Sequence, residues 1–265
     1  MIYHSSNILY VYQTGLVRIE YMIYKTYDEI VDVKLLSYSQ PSSEFVHLKC
    51  DDSKQVDGWE DSHVDHTLTN LISYCARVSN PANQNNTETT EKLIGYLLKH
   101  KHFSPFEMVN VCMEVTTTRD IARQILRHRS FSFQEYSQRY ADPTKDLEFC
   151  IRECRMQDTK NRQNSVTTDD DLLEAAFHNM QIIMIDAAKA NYEWAISKGI
   201  AKEVARVILA EGNTVSRLYI NGTLRSWVHF LEVRLGNGTQ KEHMMIAREC
   251  AKVISQIFPY IKSQD

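Results

Sequence analysis

The stretch RHRSFSFQEYSQRY, residues 127–140, joins the end of a predicted helix to a predicted extended segment. Apolar residues recur at helical spacing just before it, which predicts a helix over residues 118–127. In the extended segment alternate side chains share one side, so Glu135, Ser137 and Arg139 are expected to lie together. Guanidinium, hydroxyl and carboxylate groups on one side are typical of a site for a phosphorylated, hydroxylated ligand.

Composition limits the classes of protein to which this chain can belong. Its 265 residues are 43% hydrophobic with a formal net charge of -4, so a sizeable core is expected and no overall positive field attracts nucleic acid or anionic membranes. No stretch approaches the roughly 20 apolar residues of a membrane span. We therefore expect a cytoplasmic protein without membrane or nucleic-acid partners. Its cysteines are scattered and expected to be reduced: Cys50, Cys75, Cys112, Cys150, Cys154 and Cys250.

The pattern of the chain predicts an α/β (α+β) protein, helix-rich around a small sheet. Only eight glycines and five prolines interrupt it, which favours long helices. Residues 31–39 and 108–118 have strand character and are expected to pair in one sheet. A helix is predicted from Asn85, with Glu88 in a capping box and Leu93, Tyr96 and Leu97 buried. The other helices are predicted over residues 67–77, 118–127, 172–198, 200–210, 214–233 and 240–258.

The sequence predicts an N-terminal extension followed by one domain that contains two polar loops. Residues 1–30 are rich in tyrosine without a clear period, so we interpret them as an N-terminal extension, in which Met22 is an alternative start. Residues 31–265 then form one domain. Residues 43–66 and 157–171 are polar and predict loops. The first loop holds His63, Asp65 and His66, but no third ligand follows at a recognisable spacing, and no metal site is predicted.

Two further sets of polar residues accompany the first stretch. In SRLYINGTLRSWVHFLEVR, Leu224, Trp227, Val228 and Leu231 form a predicted buried stripe. Asn221, Arg225 and His229, spaced four residues apart, form a polar one, with Arg217 and Arg234 at either end. HFSPFE places His102, Ser104 and Glu107 around a turn fixed by proline. The three sets predict a nucleotide pocket built from distant segments, without a glycine-rich phosphate loop.

Arg127, His128 and Arg129, followed after seven residues by Ser137, resemble the signature of the flavin-dependent thymidylate synthases. ARVSNP, HFSPFE, ARVIL and GNGTQKEH also follow in that family's order, over roughly residues 33–258. The resemblance implies a helix-rich single domain around a small central sheet, and a homotetramer with active sites at subunit interfaces. It also implies conversion of dUMP to dTMP, with methylenetetrahydrofolate as carbon donor, FAD as redox carrier and NADPH as reductant, and release of tetrahydrofolate.

The resemblance also assigns roles to individual residues. Its dUMP site corresponds to Gln124, Arg127, Glu135, Ser137, Arg139, Arg217 and Arg234, with Arg234 catalytic because it polarises the uracil. Its FAD site corresponds to Ser79, Ser104, Glu107, Arg127, His128, Arg129, Glu135, Thr223, Arg225 and His229. His102 resembles a histidine on the folate and nicotinamide side of the flavin. This chain departs from the common pattern at Met108, Gln134, Ala210 and Thr223.

Two other functions use the same residues. A nucleic-acid binding protein would pair the arginines of residues 119–139 with stacking of bases on Phe131, Phe133 and Tyr136. A related flavoprotein would bind the nucleotide without transferring a methyl group. The acidic net charge and the second polar set favour the thymidylate synthase over the nucleic-acid binding protein.

Overall fold

The structure, a computed structural model, describes residues 24–45 and 66–261. Its strands are β1 (Lys25–Thr26), β2 (Asp32–Tyr38), β3 (Asn110–Thr118), β4 (Ser132–Glu135), β5 (Cys150–Ile151), β6 (Arg155–Gln157), β7 (Ser165–Thr167) and β8 (Val215–Thr223). Its helices are α1 (Tyr27–Ile30), α2 (His66–Ala76), α3 (Thr90–Lys99), α4 (Arg119–Ile125), α5 (Pro143–Asp146), α6 (Asp171–Ser197), α7 (Lys202–Ala205), α8 (Leu224–Arg234) and α9 (Lys241–Ile257). Short 3₁₀ turns span Pro81–Asn83, Ser104–Met108 and Arg206–Ile208.

A four-stranded antiparallel sheet in the order β2-β3-β8-β4 forms the centre of the fold. The predicted pairing of residues 31–39 with residues 108–118 is confirmed by β2 and β3. The mixed helix and sheet architecture predicted from the sequence is also confirmed.

The prediction of one helix over residues 214–233 is wrong in its first half. Strand β8 occupies that half and pairs with β3 on one side and β4 on the other. Leu218 and Ile220 are buried, whereas Arg217, Tyr219 and Asn221 alternate with them on the exposed face. The predicted polar stripe is therefore divided, because Asn221 lies on the strand and the rest of the stripe lies on α8. The buried stripe of α8, which holds Trp227, is confirmed.

One face of the central sheet carries the main core. Met113 of β3 and Ile220 of β8 face Trp227 of α8 and the apolar side of α9 across this core. A smaller apolar cluster, which includes Ile185 and Tyr192, lies along α6. Tyr27 and Ile30, from the N-terminal segment, are buried in the main core. The opposite face of the sheet leaves Arg217 and Tyr219 exposed.

Several predicted boundaries need correction. The helix expected from Asn85 begins at Thr90, and its residue Tyr96 is half exposed at 51% rather than buried. Strand β7 lies within the loop predicted over residues 157–171 and forms a hairpin with β6, which ends where that loop begins. The helix predicted over residues 200–210 is α7 followed by a 3₁₀ turn. The helices predicted over residues 67–77, 172–198 and 240–258 are confirmed by α2, α6 and α9.

Some predictions lie wholly or mainly outside the described residues. Met22 and most of the loop predicted over residues 43–66, with His63 and Asp65, fall there. Within residues 24–45 and 66–261, no helix is both long and apolar enough to cross a bilayer, and no cluster of three His, Cys, Asp or Glu side chains is arranged to bind a metal.

Candidate active site

The turn that follows α4 carries Arg127, His128 and Arg129. Both arginines are exposed, and His128 is partly buried against the ring of Phe230, at 5.0 Å between ring centroids. Nε2 of His128 accepts a hydrogen bond of 2.9 Å from Nε of Arg234. Burial, with the charge of Arg234, lowers the pKa of His128 to about 4. His128 is therefore a neutral acceptor at neutral pH, which is the state that this hydrogen bond requires.

Arg234 is the last residue of α8. Burial lowers its pKa, and the charge of Arg127 acts in the same direction. Arginine nevertheless stays protonated in proteins, so Arg234 is a cation. None of the described carboxylates forms an ion pair with it. Because Nε is occupied by His128, the two terminal nitrogens are the part of this guanidinium that remains available to a ligand.

Three of the residues expected near the flavin line one pocket. His102, Ser104 and Arg225 surround an open cavity of about 500 Å³, together with Lys101. Glu107, a fourth expected residue, forms an ion pair with Arg225 at the edge of the pocket. The structure therefore brings HFSPFE and α8 together, although these segments are more than a hundred positions apart in sequence.

The end of α3 explains how His102 reaches this pocket. Lys101 adopts the left-handed conformation, with a φ of 57°. Its N–H donates to Leu98 O, and the N–H of His102 donates to Leu97 O. This is a Schellman motif, a helix ending in which glycine usually takes the left-handed position. The lysine in this position also adds a cation to the pocket.

Glu135, at the end of β4, lies within a cluster of three donors. Its carboxylate accepts from Arg123 at 3.0 Å, from Ser216 at 3.0 Å and from Arg119 at 3.4 Å. Arg119 is almost fully buried, and this burial lowers its pKa. The glutamate is held rigidly from within its own subunit.

The extended segment ends at Tyr136, whose N–H still donates to Arg217 O, and this corrects the prediction of an extended segment as far as residue 139. The N–H of Tyr140 donates to Ser137 O at 3.1 Å, closing a turn that contains Arg139. Arg139 pairs with Glu203 at 3.2 Å. Ser137 and Arg139 therefore meet through a turn and not through strand alternation.

The remaining predicted residues are not gathered into the pocket of Arg225 within one chain. Arg217 is exposed on the open face of β8, and Ser79 is exposed in the turn after α2. Thr223 caps α8, where its hydroxyl accepts from the N–H of Ser226 at 3.3 Å. His229 is exposed on α8 one turn beyond Arg225. The candidate site is thus divided into three parts: the Arg225 pocket, the exposed face of the sheet, and the Arg234 turn. The last name denotes residues 127–129 together with Arg234, which is hydrogen-bonded to His128.

Sequence analysis missed a buried polar network beneath the Arg234 turn. Glu242, at the start of α9, accepts from Arg155 at 2.6 Å and lies 3.3 Å from Arg152. Burial alone would raise the pKa of Glu242, but the charge of Arg152 and the hydrogen bond from Arg155 outweigh it and hold the pKa below its ordinary value. The only available signal was the presence of Glu and His in GNGTQKEH, which carries no spatial information.

Comparison with known proteins gives a consistent picture. A family model described as thymidylate synthase complementing protein matches residues 63–260. A flavin-dependent thymidylate synthase of Synechocystis sp. is 49% identical over 191 residues, which cover 72% of this chain and 86% of that protein. A probable flavin-dependent thymidylate synthase of Paramecium bursaria Chlorella virus 1 is 43% identical over 196 residues, covering 74% and 89% of the two chains.

The fold also has a solved counterpart. The crystal structure of a UMP/dUMP methylase, PolB from Streptomyces cacaoi, bound with 5-Br dUMP, superposes with a TM-score of 0.67. The superposition covers 86% of this chain and 91% of the other, at 23% sequence identity. At that identity the similarity concerns the architecture alone.

Proposed function

Since the chain belongs to the flavin-dependent thymidylate synthases, the family of thymidylate synthase complementing proteins, we propose that it methylates dUMP reductively to dTMP. Methylenetetrahydrofolate is the proposed carbon donor and NADPH the proposed reductant, with tetrahydrofolate as the released product. The observation that carries the proposal is the convergence of His102, Ser104 and Arg225 on one pocket, with Glu107 paired to Arg225.

The side chains of this pocket fit FAD. Lys101 and Arg225 supply positive charge for a diphosphate, and the rings of His102 and Phe103 offer flat surfaces for stacking. The polar face of α8 continues from Arg225 to His229. When bound, FAD supplies the redox chemistry of the reaction. The protein's own residues bind and orient the reactants.

Arg234 is the proposed catalytic residue. Its guanidinium is positioned by His128 and carries a charge that no described carboxylate neutralises. Placed at the pyrimidine, it would favour the ionised form of N3 and so raise the electron density at C5, the carbon that is methylated. This is stabilisation of developing charge by a preorganised cation in a partly buried site.

The proposed assembly is a homotetramer whose active sites lie between subunits. Two observations support assembly: Arg217 and Arg139 lie outside the Arg225 pocket within one chain, and α6 exposes large apolar side chains. Exposed apolar patches of this kind mark contacts between proteins. Those on α6 include Leu172, Phe177, Met180, Ile183 and Met184. The free thiols of Cys112, Cys150, Cys154 and Cys250 are consistent with a cytoplasmic enzyme.

The test of function is the release of tritium from dUMP labelled at C5, with FAD and methylenetetrahydrofolate, in the presence and absence of NADPH. Release that depends on NADPH is expected. Arg234→Ala should abolish it while FAD stays bound, and Arg248→Ala, a change of an exposed arginine on α9, is the matched control. Absence of release from a protein that binds flavin and dUMP would identify a nucleotide-binding flavoprotein instead. Salt-sensitive binding of single strands without flavin would indicate the nucleic-acid alternative.

A mixing experiment tests the shared sites. Arg225→Ala, through weaker FAD binding, and Arg217→Ala, through weaker dUMP binding, are each expected to have little activity at ligand concentrations near the wild-type Kd values. If Arg225 of one subunit works with Arg217 of another, mixed tetramers made by refolding the two variants together regain part of the activity, because some sites then contain both arginines. Mixtures that remain inactive, with mixed assembly shown by mass, would contradict active sites at interfaces.

A further inference from the structure

A line of hydrogen bonds runs beneath the Arg234 turn, from α9 to α4. Oε2 of Glu242 accepts from Nε2 of Gln240 at 2.9 Å, and Oε1 of Gln240 accepts from Nε2 of Gln124 at 2.7 Å. Oε1 of Gln124 lies 3.2 Å from Nδ1 of His243. Glu242 and His243 are only 1% and 0% exposed. We refer to Glu242, Gln240, Gln124 and His243 together as the amide chain.

The direction of every hydrogen bond in the amide chain follows from one charge. Arg152 and Arg155 contact Glu242, so its carboxylate is ionised and can only accept. Gln240 must then turn its NH₂ group towards Glu242 and its oxygen towards Gln124. Gln124 in turn directs its NH₂ group towards Gln240 and its oxygen towards His243. The hydrogen bond to His243 therefore requires a proton on Nδ1 of that imidazole.

We propose that the amide chain is a positioning device that fixes the direction of the Gln124 amide for the nucleotide, with His243 as its terminal donor. This inference rests on the proposed function, because the nucleotide is the one that the thymidylate synthase reaction would use. None of Glu242, Gln240 and His243 contacts the ligand in this proposal. They act through Gln124 and are positioning residues.

Two features direct the effect towards the ligand site. Gln124 is partly exposed and lies one helical turn before Arg127 and His128. Its two bonds to the amide chain leave one N–H and one oxygen lone pair unused, in a fixed arrangement. If the Gln124 amide were reversed, its NH₂ group and its oxygen would exchange places at the nucleotide. A polar group of the nucleotide would then lose its hydrogen-bond partner and binding would weaken.

The imidazole of His243 bonds to Gln124 and to no other side chain among the described residues. Its Nε2 is buried without a hydrogen-bond partner among the described residues, and its ring packs near His128 at 6.2 Å between centroids. Burial lowers the pKa of His243 to about 3, and the charge of Arg234 acts in the same direction. The imidazole is therefore neutral, and the hydrogen bond to Gln124 is its only one among the described residues.

Two substitutions separate the hydrogen bond from the packing. His243→Asn keeps an N–H near the position of Nδ1, whereas His243→Leu removes the donor and keeps the site apolar. In the FAD-bound full-length protein, His243→Leu is expected to raise the Kd for dUMP about five- to tenfold, as for loss of a hydrogen bond that orders a contact. His243→Asn should stay within about twofold of the wild type. Thr90→Val, which removes a buried hydroxyl on α3, is the matched control and should leave the Kd unchanged.

The kinetic signature is specific to positioning. The KM for dUMP should rise in His243→Leu while kcat at saturating dUMP is largely kept, and FAD content should equal that of the wild type. Wild-type affinity in His243→Leu would overturn the inference. An equal loss in His243→Leu and His243→Asn, accompanied by loss of FAD, would show a purely structural role and would also overturn it.

A second measurement needs no ligand and uses His243→Asn only to identify the signals of His243 among those of the ten histidines. ¹H–¹⁵N correlation spectra of the histidine side chains in the nucleotide-free protein should show His243 with its proton on Nδ1. A proton on Nε2, or on both nitrogens at neutral pH, would overturn the inference. If wild-type protein binds no dUMP, the proposed function fails and the inference fails with it. If the wild type binds and His243→Leu binds equally well, only the inference fails.

Discussion

Replacing Gly222 by alanine should destabilise the protein because the ring of Phe131 already occupies the space above this residue. A Cβ built on Gly222 would lie 2.7 Å from Cε1 and 3.3 Å from Cγ of Phe131. Phe131 has little room to move, since its ring centroid lies 4.7 Å from that of Trp227 and 6.1 Å from those of Phe133 and Phe230. The clash must therefore displace the ring or the strand.

The expected magnitude comes from two opposed effects. Overpacking of a filled core costs about 1–3 kcal/mol. Alanine also lowers the conformational entropy of the unfolded chain, which stabilises the folded protein by about 0.4–1 kcal/mol. The net loss is about 1–2 kcal/mol, and a loss of this size lowers Tm by about 2–8 °C in a protein of this length.

Urea denaturation followed by tryptophan fluorescence measures this loss, and the buried Trp227 reports on the region directly. Gly95→Ala provides the matched control. Gly95 lies exposed inside α3 with nothing within 4 Å of an added Cβ. The same chemical change there should stabilise the protein by about 0.5–1 kcal/mol through helix propensity. A Gly222→Ala variant that is as stable as Gly95→Ala would refute the packing argument.

Arg225→Ala should weaken FAD binding by about tenfold or more, since it removes a charged donor from the pocket. Glu107→Gln should change the affinity for FAD less, and equilibrium dialysis against FAD measures both affinities. Arg217→Ala should raise the Kd for dUMP and leave thermal stability unchanged, because the side chain is exposed on the open face of β8, and isothermal titration calorimetry with parallel melting curves tests both statements. The free energy of unfolding should fall as the pH decreases from about 6.5 towards 4. Burial lowers the pKa values of His128 and His243 to about 4 and about 3, so both side chains stay neutral in the folded protein. The same histidines take up protons in the unfolded chain, which favours unfolding. Urea denaturation at pH 7 and pH 5 should show a smaller loss in His243→Asn than in the wild type, by about 2 kcal/mol; identical losses would contradict the assignment of His243 as a buried neutral side chain.

Much of the architecture was accessible from the sequence, and the main error has a clear physical origin. Residues 215–223 contain buried Leu218 and Ile220 alternating with exposed Arg217, Tyr219 and Asn221, which is the two-residue period of a strand. The prediction of one helix over residues 214–233 overlooked this two-residue period, because the helical pattern that begins at Leu224 follows it directly. The capping role of Thr223 marks the change from one period to the other.

The candidate site was only partly accessible for a different reason. The residues of HFSPFE and α8 could be named from their types and from resemblance. Their meeting in one pocket depends on the pairing of β3 with β8, which places Asn110 opposite Thr223. Glu242 and its partners Arg152 and Arg155 are separated by 87 residues or more, and no local pattern indicates such a contact. The burial of Arg119 beside exposed Arg123 also depends on a distant partner, because Arg119 contacts Glu135 at the end of β4.

The order of the strands has a consequence for synthesis of the protein. Strand β8 lies between β3 and β4 in space, although it is made after both. Until residue 223 has left the ribosome, β3 and β4 have no common neighbour, and the edge of β3 that later pairs with β8 is unpaired. Exposed edges of this kind pair readily with other chains. Ribosome-bound chains that end before Val215 should therefore associate with chaperones more strongly than chains released at full length. Pairing of β8 with β3 and β4 completes the sheet and covers the exposed strand edges.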